Sequence, residues 1–263
     1  MANAVAKKEE AGLPAELVDD IFATAGDGVD YDTSELQIPF VRVIQALSPQ
    51  IKKNDPGFIQ GAGQGDAFNT VTAEYWSGED GLTVVPCYQE TKYLEFIPLD
   101  QGGGFVGERA SNDPELNKTT RNGAKEILPN GNELVKSDQH YCIIVGEDGM
   151  TQPAIVDMKS TQLKVSRRWK TQIAMQKAKN PKTDKMETPA LYATMWKLST
   201  VEESNSMGTW YNWSVEKVGY APKPLFDAAK DFRQSVVKGE AKAVQEEAPA
   251  ASTPTNDDDD IPF

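Results

Sequence analysis

The sequence predicts a mainly β (α+β) fold: an OB-fold-like, partly open Greek-key β-barrel with one or two helices and disordered acidic tails. Three observations predict it. Six segments between residues 36 and 219 are dense in β-branched and aromatic residues. Glycine-rich turns such as "GAGQGD", "SGEDG", "GEDG" and "NSMG" bound several of them. Five or six strands with a helix breaking their order suggest a small, partly open Greek-key barrel such as the OB-fold.

In chain order, residues 1–35 form an acidic arm with one short helix at Pro14–Phe22, punctuated by its proline and by "AGDG". The strands follow as "LQIPFVRVIQAL" (36–47), "DAFNTVTAEYW" (66–76) and "LTVVPCYQETKYLEFIPL" (82–99). Residues 100–138 are a long polar insertion with hairpin character inside a body spanning 36–238. Further strands are "QHYCIIVG" (139–146), "LYATMWKLSTVE" (191–202) and "GTWYNWSVEKVG" (208–219). One helix is expected from about Ser160 to Lys179, capped by Ser160 or Thr161, and another from about Pro224 to Val237. Residues 239–263 hold few large apolar groups before the last three. They cannot bury enough surface to offset ordering entropy and are expected to be disordered.

No run of 18 apolar residues is present, so no membrane span is expected. The first residues lack the apolar stretch of a secretory leader. Cys87 and Cys142 are the only cysteines, which fits a reducing compartment. The expected location is cytoplasmic.

The net charge of −13 argues at first against nucleic acid. Its distribution reverses that. Residues 1–35 carry nine acids against two bases, and residues 240–263 carry seven against one, so the two ends hold −7 and −6 and the middle is neutral. Within that middle, Lys159–Lys185 sets nine Lys or Arg against Asp184 alone.

Val165, Trp169 and Ile173 recur every four residues in this stretch and fall on one arc of a helix. Lys164, Arg167 and Arg168 fall on the opposite arc, with Lys170 beside them and Lys177 continuing the charge. Arg suits phosphate because its planar fork matches two oxygens. A solvated basic face without a ligand is the plainer reading of the same pattern. Bases of single strands stack on aromatics beside positive charge. Of the 22 aromatics most must be core. Strand alternation singles out Trp210 and Tyr93 on polar faces, and Trp76 falls in a turn sequence. Trp196 beside Lys197 could belong to either face, and Lys92 adjoins Tyr93.

"GAGQGD" lacks the Lys–Ser/Thr pair of a P-loop, and no helix follows "QGGGF". His140 and Cys142 share a strand face without further ligands at metal spacing, so a core position is expected for both. No catalytic constellation, metal or cofactor is expected, and the chain is read as a non-enzyme.

Residues 256–263 read "NDDDDIPF". The acidic run Asp257, Asp258, Asp259, Asp260 and the apolar tip Ile261, Pro262, Phe263 resemble the C-terminal peptide of bacterial single-stranded DNA-binding proteins. The resemblance implies a tip that docks into a basic-rimmed apolar pocket on replication, recombination or repair enzymes of the helicase, primase, polymerase or nuclease class. It also implies an acidic run that competes with DNA for the protein's own basic groove. "IPFVRVIQALSPQI", "GDAFNTVTAEYWSGEDGLTVVPC" and "STQLKVSRRW" resemble the larger single-stranded DNA-binding proteins of tailed bacteriophages. That likeness covers most of 36–220 and implies an OB-type body with a groove. The expected function is non-catalytic coating of single-stranded DNA, with homo-oligomers compatible. The alternatives are a strand-annealing recombination protein and an adaptor that never touches DNA.

Overall fold

The computed structural model describes residues 37–241, except 124, 147 and 207, together with Asp20, Ala23 and Thr24. The expected helix at Pro14–Phe22 apart from Asp20, most of the N-terminal arm, and the tail from 242 onward, including Asp257–Phe263, lie outside the described residues. In chain order the elements are β1 (Phe40–Val43), β2 (Ala67–Asn69), β3 (Tyr75–Trp76), β4 (Leu82–Phe96), β5 (Phe105–Arg109), β6 (Thr120–Asn122), β7 (Lys125–Ile127), β8 (Glu133–Val145) and β9 (Thr151–Lys159). Then come α1 (Leu163–Ala174), β10 (Ala178–Lys179), β11 (Met186–Glu187), β12 (Thr194–Asn205), β13 (Gly208–Tyr220) and α2 (Lys223–Lys238). Among the described residues the chain forms two units, 37–90 with 138–241, and 91–137.

The first unit is built on strands in the order β13-β12-β4-β8-β9-β1-β2-β3. They curl into an OB-like half-barrel, and the mainly β expectation holds. Its pairings are antiparallel where the register is resolved, except that β1 runs parallel to β9, with Phe40 opposite Ile155.

Every residue of β8 from Asp138 to Ile144 is buried, the polar Asp138, Gln139 and His140 included, so both faces of the strand are covered. Alternate side chains serve opposite faces. Cys142 and Ile144 join Val84, Val156, Met158, Leu198 and Trp213 around Trp169 of α1. Ile143, with Val85 and Cys87, packs on Leu225 and Ala229 of α2, and Tyr141 joins Ile38, Phe40 and Ile155 near Phe232. The sheet thus carries a helix on each face. Truncating a buried aromatic such as Trp169 would cost about 3–5 kcal/mol. Both cysteines are free and buried, and burial pushes the Cys87 thiol up to about 12.

Strand β9 lies between β8 and β1, a place the sequence reading assigned to no strand. The expected helix through Lys179 stops at Ala174, because Ala178 and Lys179 pair with Glu187 and Met186 in a small hairpin. Nor do Ser160 or Thr161 cap it. Ser160 has φ +50° and opens a 3-10 turn, Ser160–Gln162, that feeds directly into α1. Helix α2 matches its expected span, and Gly239 at φ +76° closes it.

Strand β13 is the last of the sheet, and side chains close part of its free edge. The Gln45 amide exchanges two hydrogen bonds with the Tyr211 backbone, and Asn212 Oδ1 accepts from Trp213 N at 2.9 Å. "GAGQGD" serves this closure. Gly65 has φ +88°, and a Cβ there would lie 2.7 Å from the Tyr211 ring.

In the second unit, β5 pairs with the last residues of β4, and β6 and β7 form a hairpin whose second strand pairs with the start of β8. Arg109 binds Glu95 at 2.6 Å, Asp113 at 2.9 Å and Glu115 at 2.6 Å. The Arg109 bond, with further bonds from Asn132 and Asn130, holds the buried Glu95 carboxyl down to about 2.

Candidate nucleic-acid interface

Helix α1 divides its surface as its periodicity dictates. Trp169 is buried with Val165 and Ile173 packed beside it, and Lys164, Arg167 and Arg168 face outward. Trp169 stacks on His140 at 4.6 Å between centroids and meets Trp196 edge-on at 6.0 Å.

One polar group is buried under the helix. Ser166 Oγ donates to Asp138 Oδ2 at 2.7 Å and lies 2.9 Å from His140 Nε2, and Lys170 Nζ reaches the same Asp138 oxygen at 2.7 Å. Burial pushes the His140 imidazole down to about 3, helped by Lys170 and opposed by Asp138. A nucleophilic serine would hand its proton to the imidazole. Here the Ser166 hydroxyl points its proton at Asp138, and the residue is fully buried.

The open surface is organised around Glu203 on β12. Its Oε2 accepts from Lys164 Nζ at 2.8 Å, Asn212 Nδ2 at 3.0 Å and Trp210 Nε1 at 3.1 Å. These bonds, Lys164's first, hold the carboxyl below the usual range. Two shallow grooves adjoin this junction. The first, about 430 Å³, is lined by Gln45, Leu47, Lys159, Thr161, Trp210 and Tyr211 among others. Leu47 is 81% exposed. The second, about 470 Å³, is lined by Lys164, Val165, Arg168, Gln172, Glu203 and Trp213 among others. Aromatic surface beside fixed cations is the chemistry that holds unpaired bases and their phosphates.

The structure therefore brings together Lys164, Arg168 and Trp210, with Arg167 on the same helix. Arg167 and Arg168 are exposed and form no ion pair among the described residues. Lys177 is exposed and donates to Thr188 Oγ1 at 2.8 Å, and Lys197 is exposed opposite Glu216. Three expectations are corrected. Trp196 is 2% exposed and has no face to offer a base. Trp76 is not in a turn but on β3, half-buried against the core. Lys170 turns inward to Asp138 instead of joining the arginines. Lys92 and Tyr93 belong to the second unit, where Lys92 pairs with Glu108 at 3.1 Å and the half-buried Tyr93 lies opposite Arg109.

The family model described as Pam3 phage gp34-like protein matches residues 7–242. The chain belongs to that family. Neither the curated proteins nor the solved structures contain a match to it.

In this phage protein, no helix among the described residues is long and apolar enough to cross a membrane. Among the same residues, no three His, Cys, Asp or Glu side chains group as metal ligands. Sequence reasoning missed Glu203, Asn212 and Gln45. Each is a polar residue in or beside a strand: Gln45 meets Tyr211 166 residues away, Glu203 meets Lys164 39 residues away, and Asn212 meets Glu203 across the β12–β13 pair.

Proposed function

We propose that this phage protein binds single-stranded DNA without chemistry, coating exposed strands during replication, recombination or repair in the host cytoplasm. Bases stack on Trp210, and Arg167 and Arg168 take phosphates. The observation that carries this reading is the juxtaposition of an exposed Arg168, without an ion pair among the described residues, an anchored Trp210 and two open grooves on an OB-like sheet, with the exposed Arg167 on the same helix. The segment Asp257–Phe263 recruits replication, recombination or repair enzymes. Its aspartates steer it to basic surfaces, and Ile261 and Phe263 supply apolar burial.

The test is tryptophan fluorescence titrated with oligo(dT) at two salt concentrations. Binding should perturb the emission and weaken as salt rises, with a slope of about −0.7 per phosphate contact. No spectral change and no gel shift in dilute buffer would overturn the reading.

A further inference from the structure

The hub at Glu203 is an odd feature for a surface meant to attract phosphates. A carboxylate stands at the junction of the two grooves, and three donors converge on one of its oxygens. Lys164 comes from α1, while Trp210 and Asn212 come from β13. Asn212 is fully buried, and its amide also reaches Thr161 O at 3.4 Å, so that donor is fixed in place. The other members have more freedom. The Lys164 side chain is 59% exposed and that of Glu203 27%.

A carboxylate oxygen and a non-bridging phosphate oxygen are interchangeable to such donors. Both are anionic acceptors that take charge-assisted bonds of similar length. Trp210 lines one groove, Glu203 and Lys164 line the other, and the Trp210–Glu203 hydrogen bond links the two.

We propose that the Lys164–Trp210–Asn212 donor set is a phosphodiester site, and that Glu203 occupies it as a stand-in until a DNA phosphate displaces it. The inference rests on the single-stranded DNA reading and adds a specific site and an exchange step to it. No bond is made or broken. The side chain of Glu203 swings toward solvent, and the incoming phosphate oxygen takes over the three hydrogen bonds. Lys164 is then neutralised by its own protein in the free state and by DNA in the bound state. The internal competitor weakens binding and screens the lysine from counterions.

Two measurements test this on the full chain. The first compares Glu203→Gln with the wild type in oligo(dT) titrations across salt. Removing the charge frees Lys164, so the variant should bind about five- to tenfold tighter at low salt. Its salt dependence should steepen by about 0.7. Unchanged affinity and slope in a variant with wild-type melting would overturn the proposal. The second needs no Glu203 variant. The indole N–H resonance of Trp210, assigned with Trp210→Phe, should move on saturation with oligo(dT) because its acceptor changes. If other protein resonances shift and that of Trp210 does not, DNA binds elsewhere: the phosphodiester site and the stacking role of Trp210 are refuted, while single-stranded DNA binding itself survives. If nothing shifts with any oligonucleotide, both readings fall.

Discussion

Gln45 and Tyr211, 166 residues apart, are joined as two strand residues would be: the Gln45 Nε2 donates to Tyr211 O at 2.8 Å, and Tyr211 N donates to Gln45 Oε1 at 2.9 Å. A side-chain amide imitates a peptide group and links the end of the β1 segment to the edge strand β13. Gln45→Ala removes both bonds at a half-buried position, so a loss of about 1–2 kcal/mol is expected. Denaturant midpoints measure it, and amide exchange at Tyr211 should accelerate. A midpoint equal to wild type would mean that the closure contributes nothing to stability.

The paired substitution Arg167→Ala with Arg168→Ala should leave stability nearly unchanged, because both side chains are exposed and form no ion pair among the described residues. Affinity for oligo(dT) should fall, and the salt dependence should flatten by about 1.4 if each contacts one phosphate. Salt titrations that superimpose on the wild type would reduce this face of α1 to a solvated surface.

His140 gives a pH dependence with a definite sign. Its folded value of about 3 lies below the ordinary 6.5, so between these limits the unfolded chain binds the extra proton. The stabilisation is fully present above about pH 6.5 and is lost as pH falls toward 3, at up to about 1.4 kcal/mol per pH unit. Glu95, held down to about 2, adds its own acid loss only below its ordinary 4.5. The window between about pH 4.5 and 6.5 therefore separates His140 from Glu95. Urea melts of wild type and His140→Asn across that window should differ in slope, the variant being flatter. Parallel slopes would count against a buried neutral imidazole.

Deleting Asp257–Phe263 should leave oligo(dT) affinity equal or higher, because seven residues that include four negative charges are removed. The same deletion should abolish capture of replication enzymes in pull-downs. A large drop in DNA affinity would contradict the division of roles between body and tail.

Much of this architecture was legible where side-chain pattern and packing coincide. The four-residue recurrence of Val165, Trp169 and Ile173 located α1 and its inward face, and the burial of Trp169 agrees. The pattern failed where packing covers both sides of a strand. "TQPAIVDMK" became β9 despite Pro153, which the strand tolerates near its exposed start while Ala154–Met158 run buried. Trp196 is a different case: burial alternates along Thr194–Leu198, so Trp196 sides with the buried Thr194 and Leu198 while Lys197 beside it is exposed. The candidate site was half legible. Trp210 stood out as an aromatic on a polar face. Glu203 did not, because its acidity is unremarkable in so acidic a chain and its partner Lys164 is 39 residues away. Lys170 misled because helical periodicity says nothing of Asp138 waiting on a different element.

The side chains that finish the rim of β13 bear on how neighbouring copies can meet. An unprotected border of this length is a template on which another chain can add by main-chain pairing. At Tyr211 and Trp213 the backbone is already engaged by Gln45 and Asn212. Another copy is therefore denied main-chain pairing at those positions, and any contact there falls to side chains.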